Sequence, residues 1–324
     1  MEDTATYQET SSYFPRIGLA LGGGGARGYA HIGVLRAITE ARLPICCIAG
    51  TSMGAVVGAA YAAGSTVDDM AEVALAVHWR WLLGLADPTI PRRGAFTGKR
   101  LARFFDELTK GKDFTELSIP LCIVATDITT GEEVRITSGR VSAALRASTA
   151  LPGILCPVES GARLLVDGSI TTPVPVSAAV MLGADIVIGV DVSSDVGRAD
   201  ARVEMFESWA TSSPSRLCIL SPNSRLPTIA KSLLPESLAI LGRSLQLSGQ
   251  ALAKIEAPSA QIWRLRPQVG HVGWYDLARA RHCIRAGEDA GHVLLERIRT
   301  VPGCMGQIPE EAMTEADHLV RNRI

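Results

Sequence analysis

At 324 residues with 47% hydrophobic content, the chain is long enough to bury a large core and too apolar to be a disordered polymer. A formal net charge of −1 lacks the basic excess that nucleic-acid binding normally needs, so no nucleic-acid partner is expected. Seven cysteines, an odd number without C-x-x-C spacing, argue against a disulfide framework and a zinc site and fit a reducing cytoplasm.

Met1 to Pro15 is polar and acidic without the apolar stretch of a signal peptide, and reads as a loose tail. Arg16 to Leu21 is a first strand, and the run Gly22-Gly-Gly-Gly-Ala-Arg-Gly28 comes directly after it. Tyr29 to Arg42 then carries Ile32, Leu35 and Ile38 on one helix face. The run contains G-x-G-x-x-G at Gly23, Gly25 and Gly28, which has two readings. A dinucleotide-binding turn expects an acidic residue about twenty positions on, and Cys46 to Ser52 holds none. An oxyanion hole uses glycines so that backbone N–H groups approach a reacting carbonyl oxygen closely. A serine turn at the end of the next strand, centred on Ser52, favours the oxyanion reading.

Ile45 to Ala49 is a short apolar, β-branched run, read as a buried strand. It stops at Gly50-Thr-Ser-Met-Gly54, after which Ala, Val and Gly continue at helical spacing. Strand, sharp turn and helix with Ser52 at the apex, flanked by Gly50 and Gly54, is the pattern of a nucleophile elbow. Small neighbours let strand and helix approach while Oγ stays exposed, and the helix start directs free N–H groups at developing charge. Ile45 to Gly64 is also twenty residues without a charge, long enough to cross a bilayer. It is mostly Ala and Gly and is divided by the elbow, so a buried strand and helix is the preferred reading.

Val67-Asp-Asp-Met-Ala-Glu72 opens another helix, with Trp79, Trp81, Leu82 and Leu83 nearby. Pro91 to Arg103 carries Arg92, Arg93, Lys99, Arg100 and Arg103 beside Phe96 with no acidic residue. It is either a membrane-surface patch or the wet face of an amphipathic helix whose apolar side is Leu101, Phe104, Phe105 and Leu108. Leu121 to Thr126 is a buried strand, Glu133 to Thr137 an alternating edge strand, and Val141 to Ala147 a short helix. Arg163 to Val166 delivers Asp167 at a strand end, where active-site groups of α/β sheets collect; by itself Asp167-Gly168 would be an ordinary turn. Ser177 to Leu182 is a helix, and Ile186 to Val190 the last strand expected in the central sheet. Leu234, Leu238, Leu241, Leu245, Leu252 and Ile255 have heptad-like spacing, either a dimer seam or a helix docked on its own domain, so oligomeric state stays open. Gln261 to Arg266 is a late strand and Tyr275 to Thr300 a closing helix.

Three blocks, Gly22-Gly-Gly-Gly-Ala-Arg-Gly-Tyr-Ala-His-Ile-Gly-Val-Leu35, Gly50-Thr-Ser-Met-Gly54 and Leu165-Val-Asp-Gly-Ser169, match in order and spacing those of the patatin-like phospholipases, which the chain resembles. The resemblance covers roughly Ile17 to Val192 and the remainder more loosely. It implies a three-layer α/β/α fold with a central, mostly parallel sheet, and a lipid acyl hydrolase of the phospholipase A or lysophospholipase type. On that pattern Ser52 is the nucleophile and Asp167 the base of a dyad without histidine. Gly23, Gly24 and Gly25 supply the oxyanion hole, with Arg27, Gly28, Gly50, Gly54 and Gly168 in the supporting turns. The family usually carries Gly or Ala where this chain has Ser169. The organisation expected is a tail at 1–15, a catalytic core at 16–195, and a mainly helical extension at 196–324 on the same domain. Phospholipid or lysophospholipid is the expected substrate, with peripheral membrane contact and neither cofactor nor metal.

The nearest rival is a Ser-His-Asp α/β-hydrolase. His271, His282, His292 and His318 all come after Asp167, so chain order permits it, but none sits in a convincing strand-end loop, and Ser52 comes after unusually few strands. His31 is read as packing within the first helix. With a carboxylate as base, esters with good leaving groups suit the site better than amides, and partial desolvation would strengthen that base.

Overall fold

In a computed structural model, the structure describes residues 15–77, 84–85, 87–89, 94–193 and 261–299. The heptad-like run, Trp79, Trp81, Arg92, Arg93, His318 and most of the tail lie outside the described residues. Strands β1 (Ile17–Leu21) and β2 (Cys47–Thr51) are buried along their whole length, as short apolar runs between helices should be. With β4 (Leu121–Asp127), β9 (Ile186–Val190) and β10 (Gln261–Leu265) they form a parallel array in the order β10-β9-β1-β2-β4. Beyond β4 the sheet turns antiparallel, with β5 (Glu132–Ile136) and the pair β7 (Val158–Ser160) and β8 (Arg163–Asp167). Two three-residue strands, β3 (Gly94–Phe96) and β6 (Gly153–Leu155), pair separately. The result is a mostly parallel sheet flanked by helices, a patatin-like α/β fold.

Alternation along the strands sorts the core into two faces. Ile17, Leu19 and Leu21 join Ile48, Ile123 and Ile188 under helices α1 (Ala30–Glu40), α2 (Met53–Ala62) and α3 (Val67–Ala76). Ala20, Cys47, Ala49, Cys122 and Val187 point the other way, against Ala178 and Ala179 of α6 (Val176–Met181). Helix α3 starts at a capping box in which Thr66 and Asp69 exchange hydrogen bonds, the reason the helix opens at Val67. Two more helices, α4 (Lys99–Leu108) and α5 (Val141–Ser148), border the β4 side.

The sheet does not end at β9. β10 adds in parallel to its outer edge, and α7 (Ala280–Arg299) lies along α1 so closely that a Cβ on Gly33 or Gly287 would strike the opposing backbone. Arg36 of α1 also pairs with Glu288 of α7 at 2.7 Å. The uncharged run from Ile45 to Gly64 is β2 and α2, and no helix among the described residues is long and apolar enough to cross a membrane.

Candidate active site

Register alone brings the two principal side chains together. β2 ends at Thr51 opposite Val124 of β4; β8, running against β4, ends at Asp167 opposite Ala125, the next residue along. Two strands from distant parts of the sequence therefore stop side by side on the same neighbour. Gly168 fits there because a Cβ would press on Val124 O and on Thr51 Cγ2. Ser52 Oγ donates to Asp167 Oδ2 at 2.7 Å.

Ser52 sits at φ 51°, ψ −122°, a region that non-glycine residues avoid. Strain of this kind is worth roughly 1–3 kcal/mol and persists only when the surroundings impose it. They do so here. A Cβ at Gly54 would collide with Leu21 O, and one at Gly50 would meet Ala55 Cα at 2.5 Å, so strand and helix approach as the spacing predicts. From the third side, Ser52 N–H donates to Ser148 Oγ at 2.9 Å, while Ser148 Oγ–H donates to Val124 O at 2.6 Å.

Asp167 is 4% exposed. Oδ1 accepts the Ser169 N–H at 2.8 Å and Oδ2 the Ser52 hydroxyl, while Thr126 Oγ1 holds the Asp167 carbonyl at 3.1 Å. Burial raises the carboxyl pKa above its ordinary value, and the hydrogen bonds from Ser52 and Ser169 only partly oppose that.

The glycine run is fixed peptide by peptide. Gly22 N–H donates to Val190 O at 3.0 Å, and Gly22 O accepts His31 Nε2–H at 2.7 Å. At the opposite end of that same peptide, Gly23 N–H is taken by Pro173 O at 2.9 Å. Gly24 O accepts from Arg27 Nε at 3.3 Å, and Ala26 N–H donates to Trp274 O at 2.7 Å. The amides of Gly24 and Gly25 have no hydrogen bond among the described residues. Of the three glycines expected to donate, Gly23 is therefore already engaged, because Pro173 turns its amide away, and the open pair is Gly24 with Gly25. A Cβ on Gly23 would lie 3.3 Å from Ser52 Cβ, which places the loop directly over the elbow. Gly28 allows the approach of Met53 Cβ.

Residues 19–180, half of the chain, match the family model of the patatin-like phospholipases. The chain belongs to that family. An uncharacterized NTE family protein of Mycobacterium tuberculosis is 40% identical over 211 residues, 64% of this chain and 58% of that protein. The lysophospholipase NTE1 of Pyricularia oryzae is 30% identical over 314 residues, 94% of this chain and 20% of that protein. The neuropathy target esterase sws of Drosophila melanogaster is 35% identical over 186 residues, 55% of this chain and 13% of that protein. The chain thus spans little more than half of the bacterial relative and a small part of the larger two. Among solved structures, VipD from Legionella pneumophila aligns over 88% of this chain and 67% of its own, at 14% identity and a TM-score of 0.44, too weak a likeness to add to the assignment.

The family match stops at residue 180, yet the glycine loop leans on Val190 and Trp274 beyond it. Those contacts escape a sequence reading because nothing local marks a carbonyl as a brace. Ser148 escapes it too; its only signal is a hydroxyl at the end of a short helix. The histidines fall elsewhere. His31 is fully buried with Nδ1 unpartnered, and burial lowers its pKa to about 4. His271 and His282 meet edge to face with centroids 4.9 Å apart, and no histidine among the described residues lines the cavity at Ser52. No group of acidic, histidine or cysteine side chains among the described residues could hold a metal ion.

That cavity has a volume of about 330 Å3. Ser52, Asp167, Ser169 and the Gly23–Gly25 backbone form its polar end; helices α2, α3 and α4 form a long apolar wall. On α2, Gly54, Ala55, Gly58 and Ala59 are small and turned to the sheet, while Val56 and Val57 line the cavity. Leu101, Phe104, Phe105 and Leu108 face it from α4, so the apolar side of this amphipathic helix is a cavity wall.

Proposed function

We propose that the protein hydrolyses carboxylic esters of lipids, with Ser52 as nucleophile and Asp167 as base. The observation that carries this is the 2.7 Å Ser52–Asp167 hydrogen bond at the polar end of an apolar cavity. Ser52 Oγ attacks the ester carbonyl carbon as its proton passes to Asp167 Oδ2, which the raised pKa makes a stronger base than an exposed carboxylate. The carbonyl oxygen becomes an oxyanion and is received by the N–H groups of Gly24 and Gly25. The intermediate collapses, the ester C–O bond breaks, and the departing alcohol takes the proton from Asp167. Water then attacks the acyl-serine, gives its proton to Asp167, and Ser52 recovers it as the free acid leaves. The positive end of α2 beside Ser52 adds to oxyanion stabilisation. Family membership and the lysophospholipase name of the fungal relative support a phospholipid or lysophospholipid substrate, and the esterase name of the insect relative supports ester hydrolysis.

Labelling with a fluorophosphonate and locating the adduct by mass spectrometry tests this. An adduct on Ser52 that disappears in Ser52→Ala is expected; an adduct on another serine, with Ser52→Ala still turning over ester, overturns it. Substrate would come from a membrane surface met by the basic face of α4, Lys99, Arg100 and Arg103, at about 1 kcal/mol for each basic side chain near an anionic leaflet. Their joint change to Ala should weaken sedimentation with phosphatidylserine vesicles and leave turnover of a soluble ester intact. Equal sedimentation removes the membrane role from this face.

A further inference from the structure

Gly23 gives its amide to Pro173 O, so its lack of a side chain must answer another need. A Cβ there would fall 2.0 Å from Ser169 Oγ and 3.3 Å from Ser52 Cβ. The room that residue 23 leaves empty is taken by the Ser169 hydroxyl, which is thereby lodged between the glycine loop and the elbow. Ser169 also borders the cavity. A short turn at Gly168–Ile170 fixes its main chain, with Ser169 N–H donating to Asp167 Oδ1 at 2.8 Å and Gly168 O accepting the amides of Thr171 at 3.2 Å and Thr172 at 2.9 Å. The hydroxyl faces that same carboxyl: burial raises the Asp167 pKa, and the Ser169 side chain is one of the groups that oppose the rise. This oxygen is particular to the chain, since the family usually carries Gly or Ala where Ser169 stands.

We propose that Ser169 is a further catalytic group, whose hydroxyl donates a hydrogen bond to the alcohol oxygen of the ester as it leaves. The proposal rests on the ester-hydrolase reading and adds a residue to it. With the oxyanion held at Gly24 and Gly25, the departing oxygen must reach Asp167 for its proton, along the edge that Ser169 shares. Before the reaction Asp167 is an anion and draws the Ser169 O–H to itself. Once Asp167 has taken the Ser52 proton, that pull is gone, and negative charge grows on the ester oxygen instead. The O–H turns to it. The C–O bond then breaks with its electron pair on oxygen, the proton comes from Asp167, and Ser169 keeps its own. A donor engaged only as charge develops lowers the barrier without tightening the resting complex. Such help matters most when the departing alkoxide is a strong base, and least for nitrophenolate, which leaves readily without it.

Butyrate esters that differ only in the departing group (p-nitrophenyl, phenyl and ethyl) test this through kcat/KM across pH in wild type, Ser169→Ala and Ser169→Gly. Both variants remove the hydroxyl and add no bulk, so either one carries the test if the other fails to fold. The loss of kcat/KM should grow from the p-nitrophenyl through the phenyl to the ethyl ester. It should be at least about tenfold greater at the ethyl end, the size of one hydrogen bond to a charged oxygen. A purely structural role would lower all three alike, and equal losses overturn the inference while the hydrolase reading stands. Equal losses joined to an acid limb displaced to higher pH overturn it as well, because they show a hydroxyl that acts on Asp167 alone. If the wild type turns over none of the three esters, the hydrolase reading falls and this inference falls with it.

Discussion

The turns after β1 and β2 lie against each other and solve opposite problems. The first is glycine at four consecutive positions, and its peptides are held one by one, donating to the carbonyls of Val190, Pro173 and Trp274 and accepting from His31 and Arg27. The second places a serine, not a glycine, at a left-handed φ of 51° and holds it with one cap from Ser148 and close packing of its neighbours. A loop that must offer backbone N–H groups needs absence of bulk and many braces. A turn that must offer a side chain has to carry a Cβ where the backbone resists it. Function therefore stands in plain opposition to stability only at the second turn.

The sharpest break in that comparison is at Ser52. Ser52→Ala should lower kcat by about 10⁴–10⁶-fold and leave stability near wild type. Ser52→Gly should be just as inactive yet more stable by about 1 kcal/mol, because glycine relieves the strained backbone. Chemical denaturation of the three proteins reads the difference, and a Ser52→Gly variant no more stable than Ser52→Ala would mean that the elbow stores no strain.

Asp167→Asn comes next, with turnover down about 10⁴-fold while the shape is kept. The pKa of Asp167 is raised in the fold, so the unfolded chain releases its proton first as pH rises. The carboxyl therefore costs stability progressively from about pH 3.8, its ordinary value, up through the folded pKa, and keeps that cost above it. Asp167→Asn should be the more stable protein at neutral pH, with the gap closing below pH 3.8. The acid limb of wild-type kcat/KM should lie above the usual carboxylate range; a limb at or below it contradicts a desolvated base.

In the glycine turn the expected losses are smaller. Gly25 has φ 58°, and a Cβ on it would strike Trp274 O, so Gly25→Ala should lower stability and cost roughly 10²–10³ in kcat through a displaced amide. Gly24 is extended, and its Cβ would meet Val192 Cγ2 at 2.6 Å and the Val192 carbonyl oxygen at 3.3 Å, without the direct backbone collision found at Gly25. Gly24→Ala should fold normally with a lesser loss of rate. The reverse order in a parallel assay of Tm and kcat would shift the donor role away from Gly25.

Much of this arrangement is legible in the residues. Strand β1, the elbow, Asp167 at a strand end and the opening of α3 at Val67 come from apolar runs, glycine spacing and a capping pair, all local signals. Less local features are not legible. That β10 extends the sheet past β9 depends on pairing across some seventy residues, and the pattern of Gln261–Leu265 is too mixed to announce it. The loss of the Gly23 amide to Pro173 depends on which way one peptide plane faces, and composition carries no such information. The apolar face of α4 is legible as a face, but whether it meets a core or a cavity is decided by the helices opposite.

The smallest expected effect tests how firmly the glycine turn is braced. His31 is wholly buried, gives Nε2–H to Gly22 O and leaves Nδ1 without a partner, an arrangement stable only for the neutral ring. Its pKa falls from 6.5 to about 4 in the fold, so as pH drops the unfolded chain binds the proton first. The stability associated with the neutral ring is fully present above about 6.5 and is lost progressively between there and about 4. At pH 5 the loss for this one group is about 2 kcal/mol. His31→Gln can still donate to Gly22 O but cannot titrate, so its stability at pH 7 should be a little lower and its fall toward pH 5 shallower by that amount. Asp167 and Asp191 titrate in both proteins and cancel in the comparison. Urea midpoints of wild type and His31→Gln at pH 7 and pH 5 supply the measurement, and parallel shifts in the two would show that the ring is solvated and that the first turn is looser than the second.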